Sequence, residues 1–277
     1  MRLFNKVAII GVGLIGGSIG LAIKKRGLAG QVIGISRHRK TINLAKRQGA
    51  IDLGSLDISA VREADLIILA TPVNSIIQIG AMINSMVRPD ALVTDTGSTK
   101  KLVVKELGRV IPNFVGAHPL SGSERQGVMN ADADLFCGSL CVLTPTVKTK
   151  RAVLSKIKRF WIELGVRVVY LSPARHDRLI SYVSHLPHII ALSLIQSVPP
   201  NSLYLASSGL RDTTRIAVSP DAVWKDILLT NAENALVALK RFAISLSRIK
   251  SAIMQKDAKR LERILKQAGS KRRGLRP

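Results

Sequence analysis

Short aliphatic runs alternate with longer stretches of helical spacing over the first 172 residues. The runs at 6–10, 31–36, 65–71, 91–94, 113–117, 139–143 and 166–171 carry few charges and are punctuated by Gly or Pro, as strands covered on both faces are. Between them, apolar positions recur at helical spacing in 15–25, 41–48, 76–86, 99–107 and 147–164. Gly27, Gly30 and Gly49 are stop signals for the first two helices. Such alternation predicts βαβ units and a doubly wound, parallel α/β sheet. After residue 172 the pattern changes. Residues 173–277 hold no strand signal, and 221–253 keeps helical spacing through Val223, Ile227, Ala235, Leu236 and Leu239. The expected organisation is an α/β domain over 1–172 and an all-helical domain over 173–277, ending in a basic tail.

Composition narrows the class. With 47% hydrophobic and 22% charged residues, a wholly disordered chain is excluded; with 4% aromatics, the core must be aliphatic. Against 18 Asp and Glu stand 42 Lys and Arg, a formal charge of +24. That charge would suit nucleic acid, but such a reader interleaves its basic face with stacking aromatics, and the aromatics here are scattered. No specific nucleic-acid partner is expected. Cys137 and Cys141 give neither a disulfide framework nor zinc spacing, so they read as buried apolar groups and no metal is expected. The apolar stretch 7–23 resembles a signal peptide or a membrane span. It holds Gly11, Gly13, Gly16, Gly17 and Gly20, however, and falls short of the ~20 apolar residues of a span. No small-residue cleavage site follows it, so it is predicted to be core of a soluble cytoplasmic protein with no membrane partner.

Within that stretch, Gly11-Val12-Gly13-Leu14-Ile15-Gly16 fits G-x-G-x-x-G after a predicted strand and at the opening of a predicted helix. Gly11 permits the tight turn, Gly13 lets the backbone approach a pyrophosphate, and Gly16 lets the helix pack against the strand. Free N–H groups at the helix start, around Leu14 and Ile15, then face the anion. Thr71 and Pro72, closing the strand at 65–71, complete the expected dinucleotide site. NAD binding calls for a carboxylate about 20 residues on, to accept the ribose 2′-hydroxyl. The first acidic residue is Asp52; Ser36-Arg37-His38-Arg39-Lys40 stands where the carboxylate should be. Arg37 and Arg39, beside Ser36, could pair a 2′-phosphate, which favours NADP over NAD.

Four further motifs stand in order: Asp95-Thr96-Gly97-Ser98-Thr99-Lys100, His118-Pro119-Leu120-Ser121-Gly122-Ser123-Glu124, Ser184-His185-Leu186-Pro187-His188, and Arg211-Asp212-Thr213-Thr214-Arg215-Ile216-Ala217. Together with the glycine turn, this set resembles the prephenate/arogenate dehydrogenase family of tyrosine biosynthesis, from Lys6 to about Asn231. The resemblance implies a Rossmann domain followed by a helical dimerisation domain, hence a homodimer. It also implies oxidative decarboxylation of a cyclohexadienol: hydride leaves ring C4 for the nicotinamide, the ring carboxylate leaves as CO2, and the ring becomes aromatic.

As hydride departs, the C4 hydroxyl turns acidic, and a neutral imidazole is matched to take its proton at neutral pH. His118, just past the strand at 113–117, lies where open α/β sheets bind ligands. The resemblance gives that role to His118 and makes Ser98 its hydrogen-bond partner; a serine after Gly97 could equally cap the next helix. It assigns Arg215 to the ring carboxylate, Ser184 and His188 to the substrate side chain, and Glu124 to the site mouth. Gln126 stands where a contact could separate keto from amino side chains. Ser184 and His188, four apart, should share a helix face, with Pro187 kinking that helix. Asp95 and Lys100 read as structural or as lying near the cofactor, His185 as packing, and the His176-Asp177 pair as structural. A related architecture, that of the 3-hydroxyacid and imine-type reductases, would be expected to carry a lysine on the interdomain helix; 176–194 has none.

Overall fold

Successive side chains of Phe4–Ile10 (β1) enter opposite cores: Val7 and Ile9 one, Ala8 and Ile10 the other. That is why the strand reads as an unbroken aliphatic run. In the computed structural model, which describes residues 2–121 and 125–275, seven more strands join it. They are Ala29–Ile35 (β2), Leu53–Ser55 (β3), Leu66–Leu69 (β4), Leu92–Asp95 (β5), Phe114–Pro119 (β6), Leu140–Thr144 (β7) and Arg167–Tyr170 (β8), in the order β3-β2-β1-β4-β5-β6-β7-β8. Helices Leu14–Lys25 (α1), Arg39–Arg47 (α2), Val73–Ile83 (α3), Lys101–Val110 (α4) and Arg151–Glu163 (α5) connect them. One face buries Ile19 and Ile23 of α1 with Phe160 and Trp161 of α5; the other buries Val73 and Ile76 of α3 with Val103 and Leu107 of α4.

Several expectations change here. The sheet is parallel from β3 through β6, but β6 and β7 pair antiparallel, Gly116 with Thr144 through Pro119 with Cys141. No helix long enough for a right-handed crossover is seen among the described residues between them, only the single turn Val128–Asn130, so the chain returns against itself. β6 also runs two residues beyond 113–117, which places His118 inside the strand. It pairs with β5 only at Phe114 and Val115. Beyond that the Asp95 carboxylate accepts from the Ala117 N–H at 3.0 Å, bridging the parting strands. The helix expected from 147 begins at Arg151, because Thr146 and Thr149 close a turn first, the Thr149 hydroxyl accepting from the Thr146 N–H at 2.9 Å. The three-residue β3 was too short to carry a periodic signal.

Helices follow from Pro173: Pro173–Ile180 (α6), a π-turn at Ser181–His185, Leu186–Ser197 (α7), Ser208–Thr214 (α8) and Asp221–Thr230 (α9). Met1–Asn231 forms one compact unit, in which α6 packs on α4 and α9 on α3. Ala232–Pro277 forms another, in which two helices consecutive in sequence, Ala232–Met254 (α10) and Ala258–Arg273 (α11), contact each other, with Asp257 capping the latter at the Arg260 N–H.

Candidate active site

The chain reverses direction across the sheet between β1 and β4, the switch point where open α/β sheets bind ligands. A cleft of about 700 Å³ opens there, lined by the segments that leave four neighbouring strands: Gly13–Ile15 after β1, Ala70–Pro72 after β4, Thr96–Ser98 after β5, and His118–Ser121 at the end of β6. The opposite wall comes from Ser184 and Pro187 and from residues between Arg215 and Ile227, Trp224 among them. Arg125 and Gln126 close one side.

At the glycine turn, Gly11 adopts φ +95° and comes so near Ala70 that a Cβ would sit 2.5 Å from its carbonyl oxygen. Gly16 lies against Gly11, whose oxygen would be 2.0 Å from an added Cβ. Gly16 is buried and Gly11 half-buried, and both support the turn from beneath rather than lining the cleft. Gly13 faces open space, its Cβ position touching nothing within 4 Å. The first turn of α1 has neither an acidic residue nor a side-chain cap, and the buried Thr71 hydroxyl has no partner among the described residues. Unoccupied donors, an open glycine and an orphaned hydroxyl along one wall fit a dinucleotide pyrophosphate. Ser36, Arg37 and Arg39 stand at the end of β2, with both arginines exposed and Arg39 opening α2 rather than lying in a turn; none of the three lines the cleft.

His118 is buried to 9% exposure and meets another imidazole: its Nδ1 lies 2.9 Å from Nε2 of His176, whose Nδ1 lies 2.7 Å from Oδ1 of Asp177. The Asp177 carboxylate also accepts from the N–H groups of Lys100 and Lys101 at 2.7 and 2.9 Å, capping α4. Ser98 lines the cleft, but the hydrogen bond at His118 Nδ1 goes to His176, and the α4 start is capped by Asp177, not by Ser98. Burial, then the neighbouring His176 and Lys100, hold His118 well below the usual histidine range. Burial also lowers His176, in spite of its carboxylate partner. Both rings are therefore neutral at pH 7. Lys100 is wholly buried and paired with Asp95.

The π-turn decides the fate of the serine–histidine motif. Its extra residue lets the Leu186 N–H reach the Ser181 carbonyl and seats Pro187 in the first turn of α7, so the chain accommodates proline there by π-geometry. The same residue rotates α7 against α6, so Ser184 faces the cleft while His188 does not. His188, 1% exposed, stacks on Trp224 with centroids 3.4 Å apart and planes 3° from parallel, and burial lowers its pKa to about 4. The expected shared face is lost, and Trp224 presents the surface instead. Arg215 lines the cleft; Glu124 lies outside the described residues. His176, Asp177 and Trp224 were not legible as site residues: nothing in a local spacing reports that a helix after the last strand leans back onto β6. Among the described residues no cluster of His, Cys, Asp and Glu could hold a metal.

A switch-point cleft lined by a glycine turn and a neutral histidine defines an oxidoreductase using a nicotinamide dinucleotide. Comparison with known proteins makes the class specific. Residues 19–170 match the family described as prephenate dehydrogenase, nucleotide-binding domain, and 172–267 match prephenate dehydrogenase, dimerization domain. The prephenate dehydrogenase of Bacillus subtilis is 38% identical over 98% of this chain and 76% of its own length, and the cyclohexadienyl dehydrogenase of Zymomonas mobilis 36% over 93% and 91%. The crystal structure of prephenate dehydrogenase from Aquifex aeolicus with hydroxyphenyl propionate and NAD+ superposes with a TM-score of 0.92 at 35% identity, covering 97% of each chain. The chain belongs to the prephenate dehydrogenase family.

Proposed function

We propose that this protein oxidatively decarboxylates prephenate or arogenate in tyrosine biosynthesis. The observation that carries the reading is one cleft lined by the glycine turn, His118 and Arg215 together. When bound, the nicotinamide supplies a hydride acceptor. His118 Nε2, which has no hydrogen-bond partner among the described residues, takes the proton of the C4 hydroxyl as that carbon–oxygen bond gains double-bond character. Ser98 orients the hydroxyl from beside it. Arg215 holds the ring carboxylate until it leaves as CO2, its planar fork matching two oxygens. Ser184 and Gln126 hold the substrate side chain, with Glu124 near the mouth; His188 acts behind Trp224 by stacking rather than by touching substrate.

Gly13, Leu14, Ile15, Thr71 and Pro72 hold the dinucleotide, over a turn supported by Gly11 and Gly16. Arg37 and Arg39 favour NADP, supported by their exposure and by the absence of any acidic residue before Asp52. Arogenate is favoured over prephenate by the likeness of this Ser36-Arg37 turn to those of arogenate-preferring members of the family. The helical part from residue 173 pairs two copies of a cytoplasmic enzyme. The family description of 172–267 as a dimerization domain supports this, as do exposed apolar side chains such as Tyr204, Leu205 and Leu229. Pro173–Ser197 is long and apolar enough by composition to cross a membrane, and most of it is unburied; we read it as part of that covered face. The test is an assay of both substrates with both cofactors, following reduced nicotinamide. Turnover of neither substrate overturns the reading. Arg37→Ala should weaken NADP and spare NAD, and equal loss of both would overturn the NADP assignment.

A further inference from the structure

The ring of His118 can take its proton only if the nitrogen facing the cleft is the unprotonated one. The hydrogen-bond chain behind it determines which nitrogen that is. Asp177 is nearly fully buried, and its Oδ1 accepts from the Lys100 N–H, so this oxygen is an acceptor toward His176 as well. The proton between them therefore sits on His176 Nδ1. His176 is neutral, so its Nε2 carries a lone pair and accepts. Across 2.9 Å, His118 Nδ1 must then be the donor. His118 is left with its proton on Nδ1 and its lone pair on Nε2, the tautomer opposite to the one that free imidazole side chains favour in water.

We propose that His176 and Asp177 are positioning residues that hold His118 in the tautomer able to act as base. When His118 gains a second proton, the same chain places a carboxylate two hydrogen bonds from the new charge. That compensation matters because every other element around His118 is unhelpful to a cation. Just ahead of α4, Lys100 opposes it, paired with Asp95 at the end of β5; from the π-turn comes His185, neutral through burial at a pKa of about 4; from β7 comes Cys141, its thiol held protonated. Loss of the chain therefore costs both the resting tautomer and the charged intermediate state of the base.

The proposal rests on the reading of His118 as the base, and its first test needs no substrate. Nitrogen-15 spectra of histidine-labelled wild-type protein at pH 7.5, with His118 assigned by its disappearance in His118→Gln, should show a protonated Nδ1 and a bare Nε2. The reverse pattern overturns the proposal. In His176→Phe, which keeps a ring but offers no acceptor, the His118 proton should move to Nε2 and kcat should fall about 10²-fold, with KM and dinucleotide affinity held. His176→Gln can accept from His118 and donate to Asp177 at once, so it should restore the Nδ1 tautomer and most of kcat. A purely structural role predicts equal losses in Phe and Gln variants and no tautomer change. Should neither substrate be turned over by the wild type, the base assignment fails while the tautomer result still stands or falls separately.

Discussion

The imidazole of His118 sits in a setting that is poor for charge and good for a neutral base: buried, backed by a second imidazole, and facing a cleft through one nitrogen. Replacing it should remove chemistry without disturbing the dinucleotide wall, which lies on other strands. His118→Ala is expected to lower kcat by about 10² or more with dinucleotide affinity unchanged, measured by turnover and by fluorescence titration. Arg215→Ala should act on binding: KM rises while kcat holds, because the carboxylate contact is made before and during the chemical step. An unmoved KM would assign that carboxylate to another residue. At this scale the sequence singles out His118 by its place after an aliphatic strand and by the family resemblance. Its contact with His176 was not legible, because the two stand 58 positions apart.

Among elements, the turn from β1 to α1 separates two roles that glycine can play. Gly16 and Gly13 both fit the fingerprint, yet only Gly16 is crowded, by the Gly11 oxygen and by Ile9 Cγ2. Gly16→Ala should push α1 off β1 and cost about 1–3 kcal/mol, seen as a lower Tm. Gly13→Ala should leave Tm in place and weaken dinucleotide binding several-fold, since its Cβ would enter only the space a pyrophosphate uses. Equal effects in the two variants would contradict this division. Helix and strand order was readable from periodicity because β1, β4 and β5 are covered on both faces and repeat the same aliphatic signal. The π-turn was not, since a proline announces a missing N–H but not which geometry absorbs it. That single extra residue moved His188 from the cleft to the back of Trp224.

For the whole molecule, acid is the informative stress. Of five histidines four are buried, and all four are held below their ordinary values, chiefly by burial. Unfolded histidines take up protons near pH 6.5, whereas His185 and His188 resist until about 4. The unfolded state thus binds more protons in that window. Stability is full above pH 6.5 and falls as pH drops, by about 1.4 kcal/mol per pH unit for each such histidine. Urea midpoints at pH 7 and pH 5 should differ accordingly, and equal midpoints would mean that these rings are solvated. Ser184→Ala, at the cleft wall, should leave this dependence untouched.

Alternating aliphatic and amphipathic segments, a glycine turn, and a basic run lacking any carboxylate are local properties, and local chemistry suffices to read them from the chain. They determined the α/β class and pointed to the dinucleotide wall. Direction of β7, the seat of His188, and the carboxylate–imidazole–imidazole chain depend on which surfaces meet. Only tertiary packing decides those, because a hydrogen bond between distant residues leaves no periodic trace along the sequence.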